Sequence, residues 1–347
     1  MTGHRKCPKA LDPTLPGNRD CAGDKSDRCG QSTLRWAAFE KGAFTTIAFA
    51  TICWGLAGFS SVTQAASQPS AVDLYLVAGQ SNAVGFDANP TQLPADPADK
   101  EILLWWRCGD PPPDDHDSTS RGQWTFLQPQ PRGHPAMPGE ARQYGNFSHR
   151  EGGFGPEMGF ARELYARGRR KMAVIKVAFS GTGMWADWHS ADARGEGSCY
   201  RALVTETKLA IAVAKENGIA LRVRALVWVQ GESDANARDA ANYETALSGM
   251  LSALRRDLDS PGLFALLGFN TQLSGGENPF VEKIVDAQKA IAMRDSRCSY
   301  VDTSGATVAN AYHFDAAGML DVGRRFAKAL LNLESRASVK DPVLGHP

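Results

Sequence analysis

Short apolar runs alternate with longer stretches of mixed polarity from residue 70 onward. Five of these runs are rich in Val, Ile, Leu and Phe and have the length of buried strands. They are Leu74–Ala78, Ala173–Phe179, Ala225–Val229, Leu263–Phe269 and Tyr300–Val301. The segments between and after them favour helices at 156–169, 199–217, 239–258, 280–293 and 315–333. Strands that alternate with helices predict an α/β fold, in which helices cover both faces of a mainly parallel, five-stranded sheet.

The connection between the first two predicted strands is unusually long. Residues 86–153 are rich in Gly and Pro, and a loop of that length in a compact domain is more often functional than idle. Its tryptophans Trp105, Trp106 and Trp124 are candidates for the wall of a binding cleft. The alternative is that these rings simply pack the loop onto the domain.

The start of the chain has the pattern of an exported protein. Residues 1–42 form a polar extension that we expect to be disordered, and residues 43–59 carry no charge. Arg35 and Lys41 precede this apolar stretch and small residues follow it, so 43–66 predicts a signal peptide and a secreted or periplasmic protein. Because the stretch is nearly long enough to span a bilayer, an uncleaved membrane anchor is the alternative.

The length of the polar extension also raises the hypothesis that translation starts near Leu34, since a signal peptide usually begins shortly before its apolar stretch. Residues 70–335 have the length of one large α/β domain, and residues 336–347 form a short tail.

Composition excludes several classes of function. Lys+Arg and Asp+Glu balance at 38 each, without a basic patch or a charge run, so nucleic acid is not an expected partner. No CxxC or His-rich spacing indicates a metal, and no cofactor is implied. The three cysteines after the leader allow at most one intrachain disulfide. Cys108 and Cys199 are the expected pair, because both lie in Gly-rich polar segments.

A serine follows the first predicted strand in the segment Gly79-Gln80-Ser81-Asn82. In open α/β sheets, ligands bind beyond the carboxyl ends of the strands. Ser81 is therefore a candidate nucleophile, since the strand fixes its position and the next helix directs backbone N–H groups toward it. Many strand-to-helix turns use Gly and Ser for geometry alone, so the inference needs partner residues.

The next two strands also end in candidate site residues. Gly181 follows the second strand, and its N–H is suited to face a developing oxyanion, although a plain tight turn is the alternative. Gln230 follows the third strand and offers a side-chain N–H to the same oxyanion. Glu232 or Asp234 is suited to hold a histidine in its productive tautomer. Asp234 also fits a helix cap.

A serine attacks an ester only when a base takes its proton, and histidine titrates in the right range. His313 lies just before the last predicted helix and is the preferred base. His189 is its competitor, because it follows Trp188 and is able to line the site. The other histidines lie before the leader, in the long loop or in the tail: His4, His116, His134, His149 and His346.

Four motifs together resemble a known family. They are Gly79-Gln80-Ser81-Asn82, Phe154-Gly155-Pro156-Glu157, Trp228-x-Gln230-Gly231-Glu232-Ser233-Asp234 and His313-Phe314. This set is similar to the sialate O-acetylesterase and acetylxylan esterase branch of the SGNH hydrolases, carbohydrate esterase family six. The resemblance covers residues 72–333 and implies a flavodoxin-like, three-layer α/β/α sandwich without a metal. It also implies deacetylation of sugar hydroxyl groups through an acetyl-serine intermediate.

The same resemblance assigns roles by motif. Ser81 becomes the nucleophile and His313 the base. The N–H groups of Ser81 and Gly181 and the side chain of Gln230 become the oxyanion hole. Asn82 is expected to line the substrate site.

One position departs from the family pattern. Many relatives place an aspartate three residues before the histidine, where this chain has Asn310. Some members of the branch use the glutamate of the Gln-Gly-Glu segment instead, so Glu232 is expected to be the acid, with Asp302 in reserve.

Three further residues are candidates for substrate binding. Trp185 and Trp188 offer apolar ring faces to a sugar, unless they belong to the core. Glu157 either faces the cleft or belongs, with Pro156, to an ordinary helix start.

The sequence therefore predicts a serine esterase that removes O-acetyl groups from a carbohydrate of acetylxylan or sialic-acid type. The alternatives are a general short-chain carboxylesterase and a catalytically inactive carbohydrate-binding module. A membrane is an expected partner only if the leader stays uncleaved.

Overall fold

The apolar runs form the central sheet of the molecule, seen in a computed structural model that describes residues 71–133, 147–190 and 196–340. The chain divides into two units, residues 1–65 and 66–347, and every described residue belongs to the second. The predicted extension and leader, His134 and the end of the predicted tail lie outside the described residues.

The described strands and helices follow one another in this order: β1 (Val72–Gly79), α1 (Ser81–Val84), β2 (Leu103–Gly109), β3 (Ser118–Thr119), β4 (Thr125–Phe126), α2 (Glu157–Ala166), β5 (Met172–Phe179), α3 (Ser198–Glu216), β6 (Leu221–Val229), α4 (Tyr243–Asp257), β7 (Phe264–Gly268), α5 (Val281–Arg294), β8 (Cys298–Tyr300) and α6 (Ala316–Lys340). All five predicted helices are present, and α6 continues beyond its predicted end.

The sheet in the described part of the chain has the strand order β3-β2-β5-β1-β6-β7-β8, with β4 beside β2. Strands β2, β5, β1, β6, β7 and β8 are parallel, whereas β3 and β4 pair with β2 in the antiparallel sense. The chain leaves β1 toward the β2–β5 side and then continues on the β6 side. The loops that follow β5 and β6 therefore diverge at the carboxyl end of β1. Open α/β sheets bind ligands at such a point, where the strand order reverses.

Two apolar clusters cover the faces of the sheet. Tyr75 and Val77 of β1 pack on the side of α2 and α6, whereas Leu74 and Leu76 pack on the side of α3, α4 and α5. This alternation follows from the two-residue period of a strand. It confirms the predicted three-layer α/β/α arrangement.

The long connection contains a strand that the sequence prediction missed. Strand β2 lies beside β5 and gives the described sheet six parallel strands instead of the predicted five. Trp105 and Trp106 belong to β2, and Trp105, Trp106 and Trp124 are all buried. The rings therefore pack the connection onto the domain and do not form a cleft wall.

The expected disulfide is absent from the structure. Cys108 and Cys199 are both free and buried. Cys108 lies in the cluster on the α2 and α6 side of the sheet, and Cys199 lies in the cluster on the opposite side. The pairing was wrong because the sheet separates the two thiols.

None of the helices within the described residues is long and apolar enough to cross a membrane. The described residues also contain no cluster of three or more His, Cys, Asp or Glu side chains with the placement of metal ligands.

Candidate active site

Ser81 begins α1, a single helical turn between two glycines. Gly79 has a φ of +137°, and a Cβ there would lie 2.0 Å from the carbonyl oxygen of Val229. Gly85 has a φ of +85°, and its Cβ would lie 1.9 Å from the carbonyl oxygen of Phe154. Only glycine fits both positions. The backbone therefore fixes the buried Ser81 directly beyond the carboxyl end of β1.

The side chain of Asn82 connects the serine turn to the segment that carries His313. Its Nδ2 donates to the carbonyl oxygen of Tyr312 at 3.0 Å, and its Oδ1 accepts from the N–H of Phe314 at 3.0 Å. The residues on both sides of His313 are thus held by the residue next to Ser81. Because Asn82 is buried and these atoms are already engaged, it acts here as a structural clamp.

His313 contacts a carboxylate that sequence reasoning did not select. Its Nδ1 lies 2.7 Å from Oδ2 of Asp87, and the ring of Phe86 lies against the imidazole with centroids 4.7 Å apart. Asp87 follows Ser81 by six residues, in the loop after α1. No pattern in that loop marks a partner for the histidine, so the contact becomes visible only in the folded chain.

The environment of Asp87 keeps its carboxyl group ionised. Burial by itself would raise its pKa, but hydrogen bonds from His313, Ser148 and Asn310 outweigh burial and lower the pKa to about 2. An ionised carboxylate only accepts hydrogen bonds. The proton between the two groups therefore sits on Nδ1 of His313, which leaves Nε2 without a proton and able to act as a base.

Asn310 organises the same corner of the site. Its Nδ2 donates to Oδ2 of Asp87 at 2.7 Å, and its Oδ1 accepts from the backbone N–H groups of Tyr312 and His313 at 2.9 and 3.0 Å. The amide at the position where many relatives have an aspartate thus holds both the histidine segment and the replacement carboxylate.

The structure places the two expected acids elsewhere. Glu232 is half-buried, and its Oε1 accepts from Nδ2 of Asn82 at 2.8 Å and from the N–H of Asn270 at 3.0 Å. Burial raises the pKa of Glu232, and these hydrogen bonds oppose the rise. Asp302 accepts from the N–H of Ser304 at 2.9 Å, in the loop after β8. Among the described residues, neither of these carboxylates forms a hydrogen bond with His313, and Asp87 occupies the place at Nδ1 that was expected for Glu232 or, in reserve, Asp302.

Gln230 and Asp234 hold the loop that contains Gly181. Nε2 of Gln230 donates to the carbonyl oxygen of Thr182 at 3.1 Å and to the carboxylate of Asp234. Asp234 also accepts from the N–H of Met184 at 3.1 Å. Both N–H groups of the Gln230 side chain are engaged, because a buried carboxylate and a carbonyl oxygen attract them. In this arrangement Gln230 positions the loop and does not point a free donor at an oxyanion.

Two backbone donors remain at the expected oxyanion position. Strands β1 and β5 are neighbours, with Gly79 opposite Ala178, so the turns that follow them lie side by side. Among the described residues, none accepts a hydrogen bond from the N–H of Ser81 or of Gly181. These two N–H groups are therefore available to a ligand oxygen.

A family model described as carbohydrate esterase, sialic acid-specific acetylesterase, matches residues 71–332. The chain belongs to this carbohydrate esterase family. This confirms the resemblance inferred from the four motifs and makes the protein a carbohydrate O-acetylesterase. The curated proteins compared with this chain include no match.

Two solved structures resemble the esterase in fold. A protein from Arabidopsis thaliana is 20% identical, with a TM-score of 0.53, and the match covers 76% of this chain and 98% of that one. NanS is 18% identical, with a TM-score of 0.51, and the match covers 78% of this chain and 99% of that one. At these identities the similarity supports the α/β fold alone.

The candidates for substrate binding separate into buried and exposed side chains. Trp188 of the esterase is fully buried, its ring packs edge-on against Trp228 at 4.9 Å, and its Nε1 donates to Thr182 at 2.9 Å. It therefore belongs to the core. Trp185 is 60% exposed, with its ring 5.3 Å from that of His189. His189 thus lies beside an exposed ring. His313, the other candidate base, contacts the carboxylate of Asp87.

Glu157 lies inside the esterase and does not face a cleft. Its Oε1 accepts from Nζ of Lys176 at 3.0 Å and from the N–H of Gly155 at 2.8 Å, and both charged side chains are fully buried. Lys176 also donates to the carbonyl oxygen of Val84 at 2.7 Å and to Gln130 at 2.6 Å. The expected contact of Glu157 with substrate is replaced by a buried ion pair under α1.

Proposed function

We propose that this esterase cleaves carbohydrate O-acetyl esters with Ser81 as nucleophile, His313 as general base and Asp87 as the acid that orients His313. The observation that carries the proposal is the 2.7 Å contact between Nδ1 of His313 and Asp87, on a segment that Asn82 ties to the serine turn. A serine, a histidine and a carboxylate in this relation form the nucleophile, base and orienting group of serine hydrolases.

The reaction proceeds in two halves. Nε2 of His313 takes the proton of Ser81 Oγ as the oxygen bonds to the acetyl carbonyl carbon. Negative charge gathers on the carbonyl oxygen, and the N–H groups of Ser81 and Gly181 stabilise it. A donor of this kind contributes roughly 10²–10³ to the rate. The bond to the sugar oxygen then breaks, and His313 returns its proton to that oxygen.

Water completes the cycle. His313 takes a proton from the water molecule, whose oxygen attacks the acetyl-serine carbonyl. The ester bond to Ser81 breaks, His313 protonates the serine oxygen, and acetate leaves. Asp87 stays ionised throughout and stabilises the imidazolium that forms twice per turnover.

The proposal is tested by acetate release from 4-nitrophenyl acetate, acetylated xylan and O-acetylated sialic acid. We expect Ser81→Ala and His313→Ala each to lower kcat by roughly 10⁴ or more. Turnover of the aryl ester alone would favour a general short-chain carboxylesterase. Sugar binding without turnover that depends on Ser81 would favour an inactive carbohydrate-binding module.

We also propose that residues 43–66 direct export and are then removed. The support is the uncharged stretch 43–59, with Arg35 and Lys41 before it and small residues after it. N-terminal sequencing of the exported protein is expected to begin just after residue 66. A full-length chain in the membrane fraction would favour the anchor instead, and a cytoplasmic enzyme would contradict export.

A further inference from the structure

Residues 147–153 form a short segment, here named the strap, that runs against the loop that carries Asp87. In the strap, Ser148 donates twice to the carbonyl oxygen of Phe86, from its backbone N–H at 2.9 Å and from its hydroxyl at 3.0 Å. Nε2 of His149 lies 3.2 Å from the carbonyl oxygen of Asp87. A carbonyl oxygen only accepts hydrogen bonds, so this ring nitrogen carries a proton and donates. The strap therefore holds two consecutive carbonyl groups of the Asp87 loop.

The same serine also reaches the carboxylate of Asp87. Its hydroxyl is one of three side-chain groups that hydrogen-bond this carboxylate and lower its pKa, together with His313 and Asn310. A hydroxyl has one proton and rotates to suit its acceptor, so Ser148 is able to serve the carboxylate or the carbonyl oxygen beside it. His313 and Asn310 belong to the segment before α6, whereas Ser148 approaches from the strap. The carboxylate is therefore held from two separate segments of the chain.

The strap is itself fixed to the core of the domain. Phe147, at its start, is fully buried. Gly153, at its end, exchanges two backbone hydrogen bonds with Gln130, at 2.8 and 3.0 Å. A Cβ at Gly153 would lie 2.6 Å from the carbonyl oxygen of Gly85, so the strap passes directly against the end of α1. Anchors at both ends give the residues between them a defined position.

One of these anchors is shared with the serine turn. The side-chain oxygen of Gln130 accepts from Nζ of Lys176 at 2.6 Å, and the same amine donates to the carbonyl oxygen of Val84 in α1 at 2.7 Å. Gln130 and Lys176 are both fully buried. The strap and the turn of Ser81 are therefore positioned relative to the same buried amine.

The two strap residues that contact the Asp87 loop lie toward the surface. Ser148 is exposed and His149 is half-buried. Substitutions of exposed side chains usually change the free energy of unfolding little. The hydrogen bonds of these two residues are therefore accessible to mutation without disturbing the apolar core.

We infer that Ser148 and His149 are positioning residues, which hold the Asp87 loop so that its carboxylate meets Nδ1 of His313. The inference rests on the proposed function, because it needs Asp87 to orient the catalytic base. A displacement of about 1 Å in a catalytic arrangement costs on the order of 10²-fold in rate. The strap is thus a third part of the site, beside the serine turn and the histidine segment.

The test measures kcat and KM for 4-nitrophenyl acetate in Ser148→Ala and His149→Ala. We expect each variant to lower kcat by about tenfold and to keep KM within about twofold, because Asn310 still holds the carboxylate in part. Ser148→Thr keeps the hydroxyl and His149→Gln keeps an N–H donor, so both should retain most of kcat. Ser335 is an exposed serine on α6, and Ser335→Ala is the control that should match wild type.

The same substitutions in the Asp87→Asn background separate positioning from a general loss of structure. There the group that the strap holds no longer orients the base, so Ser148→Ala and His149→Ala should each lower kcat by less than about twofold. An equal loss in both backgrounds would show that the side chains only stabilise the fold, and it overturns the inference. Wild-type kcat in both alanine variants overturns it as well. Failure of the esterase proposal is separate, because it appears as turnover that survives Ser81→Ala.

Discussion

At the scale of single residues, Asp87 determines where one proton lies. Its low pKa, about 2, keeps the carboxylate an acceptor, so the proton stays on Nδ1 of His313. Glu232 differs from Asp87 in its hydrogen-bond partners. Its Oε1 accepts from Asn82 and Asn270, while its Oε2 has no hydrogen-bond partner among the described residues. The two carboxylates therefore have separable roles.

Isosteric amides distinguish these roles. Asp87→Asn is expected to lower kcat by roughly 10³–10⁴, because an amide donates to Nδ1 and favours the wrong tautomer. Glu232→Gln is expected to lower kcat by less than about tenfold, since Gln keeps an oxygen that accepts from Asn82 and Asn270. Steady-state kinetics on 4-nitrophenyl acetate measures both. The reverse order of the two losses would make Glu232 the catalytic acid.

The lowered pKa of Asp87 also predicts how the free energy of unfolding depends on pH. Its pKa in the folded protein, about 2, lies below its ordinary value of 3.8. The stabilisation is therefore fully present above that ordinary value and is lost as pH falls toward the folded-state pKa. Wild type should exceed Asp87→Asn in free energy of unfolding by on the order of 1–2 kcal/mol near pH 6, and the difference should narrow near pH 3. Urea unfolding at several pH values measures it, and a difference that widens below pH 4 would contradict the assignment.

At the scale of elements, the site depends on short segments held by buried polar groups. The single turn α1 is fixed by Gly79 and Gly85 at its ends and by Lys176 underneath. The loop after β5 is held by Gln230 and Asp234. These polar side chains lie on neighbouring strands or directly after them, so the sheet positions the turns of Ser81 and Gly181 relative to one another.

The buried pair of Lys176 and Glu157 predicts a large effect on stability. Lys176→Met leaves the Glu157 carboxylate buried without its cation and is expected to cost about 3–5 kcal/mol. The double variant Lys176→Met/Glu157→Gln removes both buried charges but keeps an oxygen that accepts from the N–H of Gly155. It should therefore recover a large part of the lost free energy of unfolding. Denaturant unfolding measures both, with the exposed Lys208→Met as control. A loss below about 1 kcal/mol in Lys176→Met would show that the pair is dispensable.

At the scale of the whole molecule, the sheet divides the interior into two apolar clusters. Cys108 and Cys199 lie on opposite sides of it. Burial raises the pKa of Cys108 to about 12, so its thiol stays protonated and unreactive in the folded protein. No disulfide therefore joins these two cysteines across the sheet.

This arrangement predicts that a reducing agent leaves the melting temperature unchanged. Mass spectrometry after alkylation in denaturant without reduction is expected to find Cys108 and Cys199 modified. A peptide pair linked through these two residues would contradict the placement of the thiols, and a lower melting temperature with reductant would point to a disulfide elsewhere in the chain.

Most strands and helices were predictable because they depend on local patterns. Runs such as Ala173–Phe179 reveal buried strands within a few residues, and Gly79-Gln80-Ser81-Asn82 marks its turn by composition alone. Strand β2 was missed because it is enclosed in a Gly- and Pro-rich connection and finds its place only by pairing with β5. Trp188 and Glu157 were offered as substrate contacts because a sequence does not reveal which side of a loop or helix is buried.

The sequence by itself determined the α/β class, the esterase family and the segments that carry Ser81, Gly181, Gln230 and His313, because each is written in a short contiguous motif. Only the tertiary structure decided which carboxylate meets His313. Asp87 and His313 are 226 positions apart in the chain, and their contact depends on how the loop after α1 meets the turn before α6. Side-chain partners across such a distance are selected by packing, which no local pattern records.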